Sequence, residues 1–184
     1  GGMQPPHGSG LLSVFPSWRQ HGNLLIFNLP TWKGRALYKK VLIAIDDSQT
    51  ARCALTEAAY IAKTHGAALC IVHVADETLM GMHHRTLTTT LNLDHARQAI
   101  VDAGKKLLEE AIAQVADPSV ETRLLEASDR RVSEVIIDAA QEWQADLIVV
   151  GTHGRRGLER LIIGSVADQL VRLSPVSTLL VRKH

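Results

Sequence analysis

The stretch ADLIVVGTHGRRGLERLIIGSVA, residues 145–167, decides how this chain folds. Its apolar run, Leu147 to Val150, is short and β-branched and ends at Gly151, as a buried strand does. A basic, glycine-rich loop follows, and Gly164 and Ser165 then open an apolar-periodic segment carrying Val166, Leu170 and Val171. The order is therefore strand, loop, helix N-terminus. Glycines allow backbone amides to approach a ligand closely, and a helix start presents N–H groups that lack intrahelical partners and carry partial positive charge. Such a sequence is suited to holding phosphates. The loop runs for about fourteen residues, a length that in compact domains usually signals function. Arg155, Arg156 and Arg160 within it bring charge that neutralises a polyphosphate. The structural alternative is a solvated loop whose glycines only make turns.

Working outward, the same alternation repeats. Val41 to Ile45 is an apolar strand closed by Asp46-Asp47-Ser48, and Ser48 is placed to N-cap a helix with Ala51, Leu55, Ala58, Ala59 and Ala62 on one face and Gly66 as its stop. Ala68 to Val74 is a second buried strand. The polar stretch from Asp76 to about Leu93 precedes a helix that starts near Asp94, turns Ile100, Ala103, Leu107, Leu108, Ala111 and Val115 inward, and stops at Asp117-Pro118. Val120 to Leu125 is more polar and suits a sheet edge. Asp129 is expected to cap the next helix, with Val132, Val135, Ile136, Ala139 and Trp143 as its apolar set. Pro175 ends the last helix, and Thr178 to Arg182 is the final strand. Five strands alternating with four helices imply a doubly wound parallel α/β sheet with right-handed crossovers.

Other chemistries are excluded by what the motifs lack. The turn after the first strand, Asp46-Asp47-Ser48, is acidic and glycine-free, unlike a dinucleotide fingerprint, and no Gly-x4-Gly-Lys-Ser/Thr loop occurs. With 20 basic against 19 acidic residues the chain has no charge excess to suggest a nucleic-acid or polybasic membrane surface. No apolar run approaches the ~18 residues of a membrane span. Cys53 and Cys70 follow no metal or redox spacing and read as buried free thiols of a reducing, cytoplasmic compartment. His83, His84 and His95 lack a carboxylate or cysteine at ligand spacing and read as loop histidines, and Thr88-Thr89-Thr90 as loop. His73, at a strand end, reads as a structural hydrogen-bonding group.

The spacing Gly151-x2-Gly154-x9-Gly164-Ser165, with the Val41–Ser48 strand and turn and with His73-Val74, resembles the ATP-binding branch of the universal stress protein family. The resemblance covers about residues 38 to 184. It implies a Rossmann-like five-stranded parallel sheet of order 3-2-1-4-5, which sets the first and fourth strands side by side at the reversal where open α/β sheets bind ligands. It further implies that Ala44 and Asp46 line the base and ribose side and that Val74 meets adenine through its main chain. Gly151, His153, Gly154, Arg155 and Arg156 would wrap ribose and phosphates, and Gly164, Ser165 and Val166 would supply phosphate-binding amides and a hydroxyl. ATP would come with Mg²⁺ held by the phosphates, with Asp46 or Ser165 nearby and no cage of protein ligands. Two positions depart from the pattern: Ala44 stands where proline is frequent, and Asp47 where glycine is frequent. Asp46 also has a plain structural reading, as the cap of its own turn.

No nucleophile, general acid–base pair or metal box accompanies these residues, so the expectation is an ATP-binding, homodimeric regulatory protein of the stress response with no catalytic residues. The alternatives are a slow ATPase or phosphotransfer enzyme and a nucleotide-free interaction protein of the same fold. The final strand, following the last helix, is expected at the sheet edge, and pairing Thr178, Leu179, Leu180, Val181 and Arg182 with a two-fold mate would form the dimer. Residues 1–37 differ in composition. They hold both phenylalanines, Phe15 and Phe27, and two of the three tryptophans, and Gly1-Gly2 ahead of Met3 reads as a cloning scar. This extension has no role legible in its sequence.

Overall fold

A computed structural model describes residues 20–21, 24–27, 37–76, 90–152 and 163–182. Five strands form the parallel sheet: β3 (Lys40–Ala44), β4 (Ala68–Ala75), β5 (Glu121–Glu126), β6 (Leu147–Gly151) and β7 (Ser177–Val181). Their order is β5-β4-β3-β6-β7, the expected 3-2-1-4-5, with β3 hydrogen-bonded to both β4 and β6. Helices α1 (Gln49–His65), α2 (Thr90–Val115), α3 (Val132–Glu142) and α4 (Ser165–Leu173) connect the strands.

Strand periodicity sorts the core into two layers. Val41, Ile43, Ile71, Leu147, Val149 and Leu179 face α1 and α2, where Ala54, Leu55, Ala58, Leu108 and Ala111 meet them. Leu42, Ala44, Val72, Val74, Ile148, Val150 and Leu180 face α3 and α4, against Ile136, Ala140, Ala167 and Leu170. Both faces of β3 and β6 are covered, which is why these strands are continuously apolar. Each fully buried Leu, Ile or Val contributes about 1.5–3 kcal/mol relative to exposure, so the central strands anchor the domain.

The ends of α1 match the sequence. Ser48 caps it, accepting from the Ala51 N–H at 3.1 Å, and Gly66 stops it with φ of 63°. Four local expectations are corrected. α2 begins at Thr90, and it turns Gly104 rather than Ala103 to the sheet. A Cβ at Gly104 would lie 2.7 Å from Leu124 Cδ1 and 2.9 Å from His73 Cδ2, so a side chain there would require Leu124 and His73 to shift. Asp129 does not cap α3. Ser128 and Asp129 both take left-handed backbone, φ of 46° and 67°, and carry the chain through a turn, so the N-cap falls on Arg131, whose side chain makes no capping bond. Cys70 is buried and its thiol is pushed up to about 12, chiefly by burial, whereas Cys53 is only half-buried.

The largest correction concerns the sheet edge. β5 lies at one edge, as its polar pattern implies, but β7 does not lie at the other. β2 (Leu24–Phe27), from the extension, pairs with it antiparallel, placing Leu24, Leu25, Ile26 and Phe27 opposite Val181, Leu180, Leu179 and Thr178. β1 (Gln20–His21) then pairs with β2. Among the described residues the sheet has seven strands, and the strand expected to be open is interior. Arg182 is exposed just beyond it.

Candidate functional site

The reversal of strand order falls between β3 and β6, whose carboxyl ends open side by side. A strand–helix turn rises from each. The turn after β3 is tied to itself. The Ser48 N–H donates to Asp46 Oδ1 at 3.0 Å, the Ser48 and Thr50 hydroxyls share a hydrogen bond of 3.0 Å, and the Ser48 oxygen caps α1. Asp46 thus makes the turn its structural reading requires, and it remains half-buried. Behind it, His73 is buried, and its Nδ1 lies 2.8 Å from the Ile45 carbonyl oxygen. A carbonyl only accepts, so Nδ1 carries the proton. His73 therefore anchors the end of β3, the structural role expected of it.

The turn after β6 is built differently. Thr152 is buried and its N–H donates to the Val181 carbonyl at 2.8 Å. The Gly164 N–H donates to the Thr152 carbonyl at 2.7 Å, so the two ends of the glycine loop are latched together. Gly164 adopts φ −61° and ψ 151° as the N-cap of α4 and offers no side chain to it. The Asp168 N–H bonds to the Gly164 carbonyl, and by helix geometry the N–H groups of Ser165, Val166 and Ala167 have no intrahelical acceptor. Ser165 is exposed; Val166 is half-buried, packed on the α3–α4 layer.

Ala44 and Val74 face that same layer, each 8% exposed where the strands end, with Val150 beside them at the same value. An apolar floor and an uncapped helix start thus share one face of the sheet. Gly151 points the other way. A Cβ there would lie 3.0 Å from the Thr50 carbonyl carbon and 3.1 Å from the Ala51 nitrogen, so this glycine lets the start of α1 press against β6. Sequence reasoning missed Thr152 and Thr50, a buried pair flanking that contact. Their signal is a threonine directly after a strand and a threonine two residues after a helix cap. His153, Gly154, Arg155 and Arg156 lie outside the described residues, as do Arg160, His83, His84, Thr88 and Thr89.

Among the described residues no group of three or more His, Cys, Asp or Glu could hold a metal, and no helix is long and apolar enough to cross a membrane. A Mg²⁺ ion fits the donor set only as a partner of ligand phosphates, since Mg²⁺ characteristically takes one or two carboxylates plus phosphate oxygens and keeps its waters.

The opposite end of the sheet is a lock. The Asp146 carboxylate accepts from the Lys39 and Lys40 N–H groups at 2.7 and 3.1 Å. Lys40 Nζ donates to the Trp143 carbonyl and lies 5.2 Å over its ring, and Trp143 Nε1 donates to Glu121 at 2.8 Å. Hydrogen bonds from Arg123 and then Trp143 hold the Glu121 carboxyl below its ordinary value.

Comparison with known proteins agrees with this architecture. Residues 37–182 match the Universal stress protein family. The universal stress protein YxiE of Bacillus subtilis is 32% identical over 149 residues, covering 79% of this chain and all of that one. The structure of the universal stress protein UspA from Lactobacillus plantarum superposes with a TM-score of 0.64 at 28% identity, over 82% of this chain and 100% of that one. The universal stress protein from Archaeoglobus fulgidus solved in complex with dAMP superposes with a TM-score of 0.55 at 24% identity, over 78% and 98%.

Proposed function

The chain belongs to the universal stress protein family, and on that premise we propose that it is an ATP-binding regulatory protein of the stress response, with its site at the carboxyl ends of β3 and β6. The observation that carries this reading is the start of α4. It has no side-chain cap, follows directly on the latch between Thr152 and Gly164, and stands on the face of the sheet where Ala44 and Val74 end the strands. A helix start of this kind favours an anion, and an apolar floor favours a base. The dAMP carried by the A. fulgidus relative supports an adenine nucleotide as the ligand class.

In this reading Ala44 and Val74 bound the adenine, and Gly164, Ser165 and Val166 receive phosphate oxygens. One Asp46 oxygen is committed to its turn, and the other meets the ribose or a phosphate-held Mg²⁺. His153, Gly154, Arg155 and Arg156 complete the phosphate side. Gly151 contributes by packing α1 against β6 instead of touching the ligand. Residues 38–184 form the nucleotide-binding domain.

The test is a thermal shift with Mg-ATP on protein stripped of nucleotide. Ligand at 100 times its dissociation constant stabilises by ~2.7 kcal/mol. At ~2–4 °C per kcal/mol for a domain of this size, the midpoint rises by roughly 5–10 °C. Gly164→Val keeps the fold, because φ −61° and ψ 151° suit any residue, and abolishes the shift because the side chain obstructs the amides. An unshifted wild-type protein at millimolar ATP, or a Gly164→Val variant that shifts normally, refutes the assignment. ADP release above background in the wild type would recast the protein as a slow ATPase.

A further inference from the structure

The parallel ladder between β3 and β4 stops one bond early, and a side chain takes the bond that is missing. Ala44 stands opposite Val72, so the next pair in register is Ile45 with His73. The Ile45 N–H keeps to the ladder and donates to the Val72 carbonyl at 2.9 Å. In a parallel pair, a residue that donates to the position before its partner accepts from the position after it. The Ile45 carbonyl is therefore due a bond from the Val74 N–H. It accepts instead from His73 Nδ1 at 2.8 Å, and among the described residues no backbone bond joins Val74 to Ile45. β5 offers Val74 no acceptor either, because alternate residues of β4 serve opposite neighbours. Val72 turns its carbonyl to Ile45, whereas Ala75 turns its own to the Ala127 N–H. The Val74 N–H is thus directed past the end of β3, at the apolar floor shared with Ala44 and Val150. A backbone donor so placed calls for an acceptor. Gly104 leaves room for the imidazole that holds this arrangement, since a Cβ there would meet His73 Cδ2 at 2.9 Å.

We propose that His73 is a positioning residue for base recognition: its imidazole occupies the Ile45 carbonyl, ends the ladder there, and keeps the Val74 N–H for a ring nitrogen of adenine. The role deepens the nucleotide reading proposed above and rests on it. It also carries a specificity. Adenine N1 is an acceptor, whereas N1 of hypoxanthine bears a proton and would set donor against donor at Val74.

The experiment uses the full chain, stripped of nucleotide. Amide exchange is measured first, without ligand. In the wild type Val74 is expected to exchange roughly tenfold faster than Val72 or more, the equivalent of one backbone hydrogen bond. In His73→Leu the Ile45 carbonyl is released to Val74, whose exchange slows to that of Val72. A Val74 amide as slow as Val72 in the wild type overturns the role, whether or not any variant folds. Calorimetry with Mg-ATP and Mg-ITP comes second. The wild type is expected to prefer ATP by roughly tenfold, and His73→Leu to lose that preference to within about twofold. His73→Asn, which carries an N–H donor on the same side-chain carbon, should retain it. A histidine that only stabilised the fold would weaken both nucleotides together and leave their ratio unchanged. A wild type that binds neither nucleotide refutes the nucleotide reading, and this role with it. A wild type that binds both equally, or a His73→Leu variant whose preference for ATP is intact, refutes the role of His73 and leaves the nucleotide site standing.

Discussion

Two helix starts follow the neighbouring strands β3 and β6 on opposite faces of the sheet, and they are finished in opposite ways. At α1, Ser48 caps the helix, Asp46 accepts from Ser48, Thr50 shares a hydrogen bond with Ser48, and Gly151 lets the whole turn press against β6. At α4, Gly164 brings no side chain, Ser165 is exposed, and Gly164 is held by one backbone bond to Thr152. A capped start spends a donor on its own structure; an uncapped one leaves its first amides without a side-chain acceptor. The comparison separates residues that look alike in sequence. Gly151 and Gly164 both read as phosphate-loop glycines, yet a Cβ at Gly151 would meet the start of α1, whereas Gly164 begins α4 without a side-chain cap.

Substitutions on the two sides should therefore move different quantities. The largest effect is expected for Gly151→Val, whose side chain would be driven into the Thr50–Ala51 backbone. Overpacking of this kind costs ~1–3 kcal/mol, with larger values where backbone must move. Chemical denaturation should show that loss even without nucleotide. Wild-type stability in this variant would mean that Gly151 has no packing role and would return it to the list of ligand contacts.

Ser48→Ala comes next. Losing an N-cap serine costs about 0.5–2 kcal/mol, so the melting midpoint should fall by a few degrees while ATP affinity, measured by calorimetry, stays within about twofold. A loss of affinity larger than the loss of stability would show that the two helix starts are coupled. Ser165→Ala should do the reverse. Its side chain is exposed, so stability should hold, and losing one ligand hydrogen bond worth about 0.5–1.5 kcal/mol should weaken ATP binding by roughly two- to tenfold. An unchanged affinity removes the hydroxyl from the site and leaves only the amides.

The smallest effect is a control at the far end of the sheet. The Glu121 carboxyl is held below its ordinary value of 4.5 by Arg123 first and Trp143 second. A depressed carboxylate favours the fold while ionised, so its contribution is present above 4.5 and is lost as pH falls through the lower native value. Glu121→Gln should flatten that part of the acid limb of the stability curve and leave nucleotide affinity untouched. A change in affinity would mean that the lock at the amino ends of the strands is transmitted to the crevice.

The fold was legible because its signals are local or periodic. The continuous apolar character of Val41–Ile45 and Leu147–Val150, the Ser48 cap and the Gly66 stop each depend on a few neighbouring residues, and each took the expected place. Strand order became legible through the family resemblance and appears in the hydrogen-bonded pairs. Asp129 was misread because its left-handed backbone, with Ser128, moved the helix start two residues on to Arg131. Ala103 was misread because helical periodicity marks apolar residues inward and gives glycine no weight, while close approach to His73 and Leu124 demanded Gly104.

By itself the sequence determined the alternation of strands and helices, the acidic turn, and the placing of a glycine-rich loop ahead of a helix start, since each follows from nearest-neighbour chemistry. Only the tertiary structure decided that Gly151 is a packing position, because that depends on the distance between α1 and β6, elements a hundred residues apart in the chain. Only it decided that β7 is interior. The strand that covers β7 lies more than 150 residues earlier, and a backbone ladder leaves almost no mark on side-chain pattern, since its bonds are made by groups that every residue but proline carries.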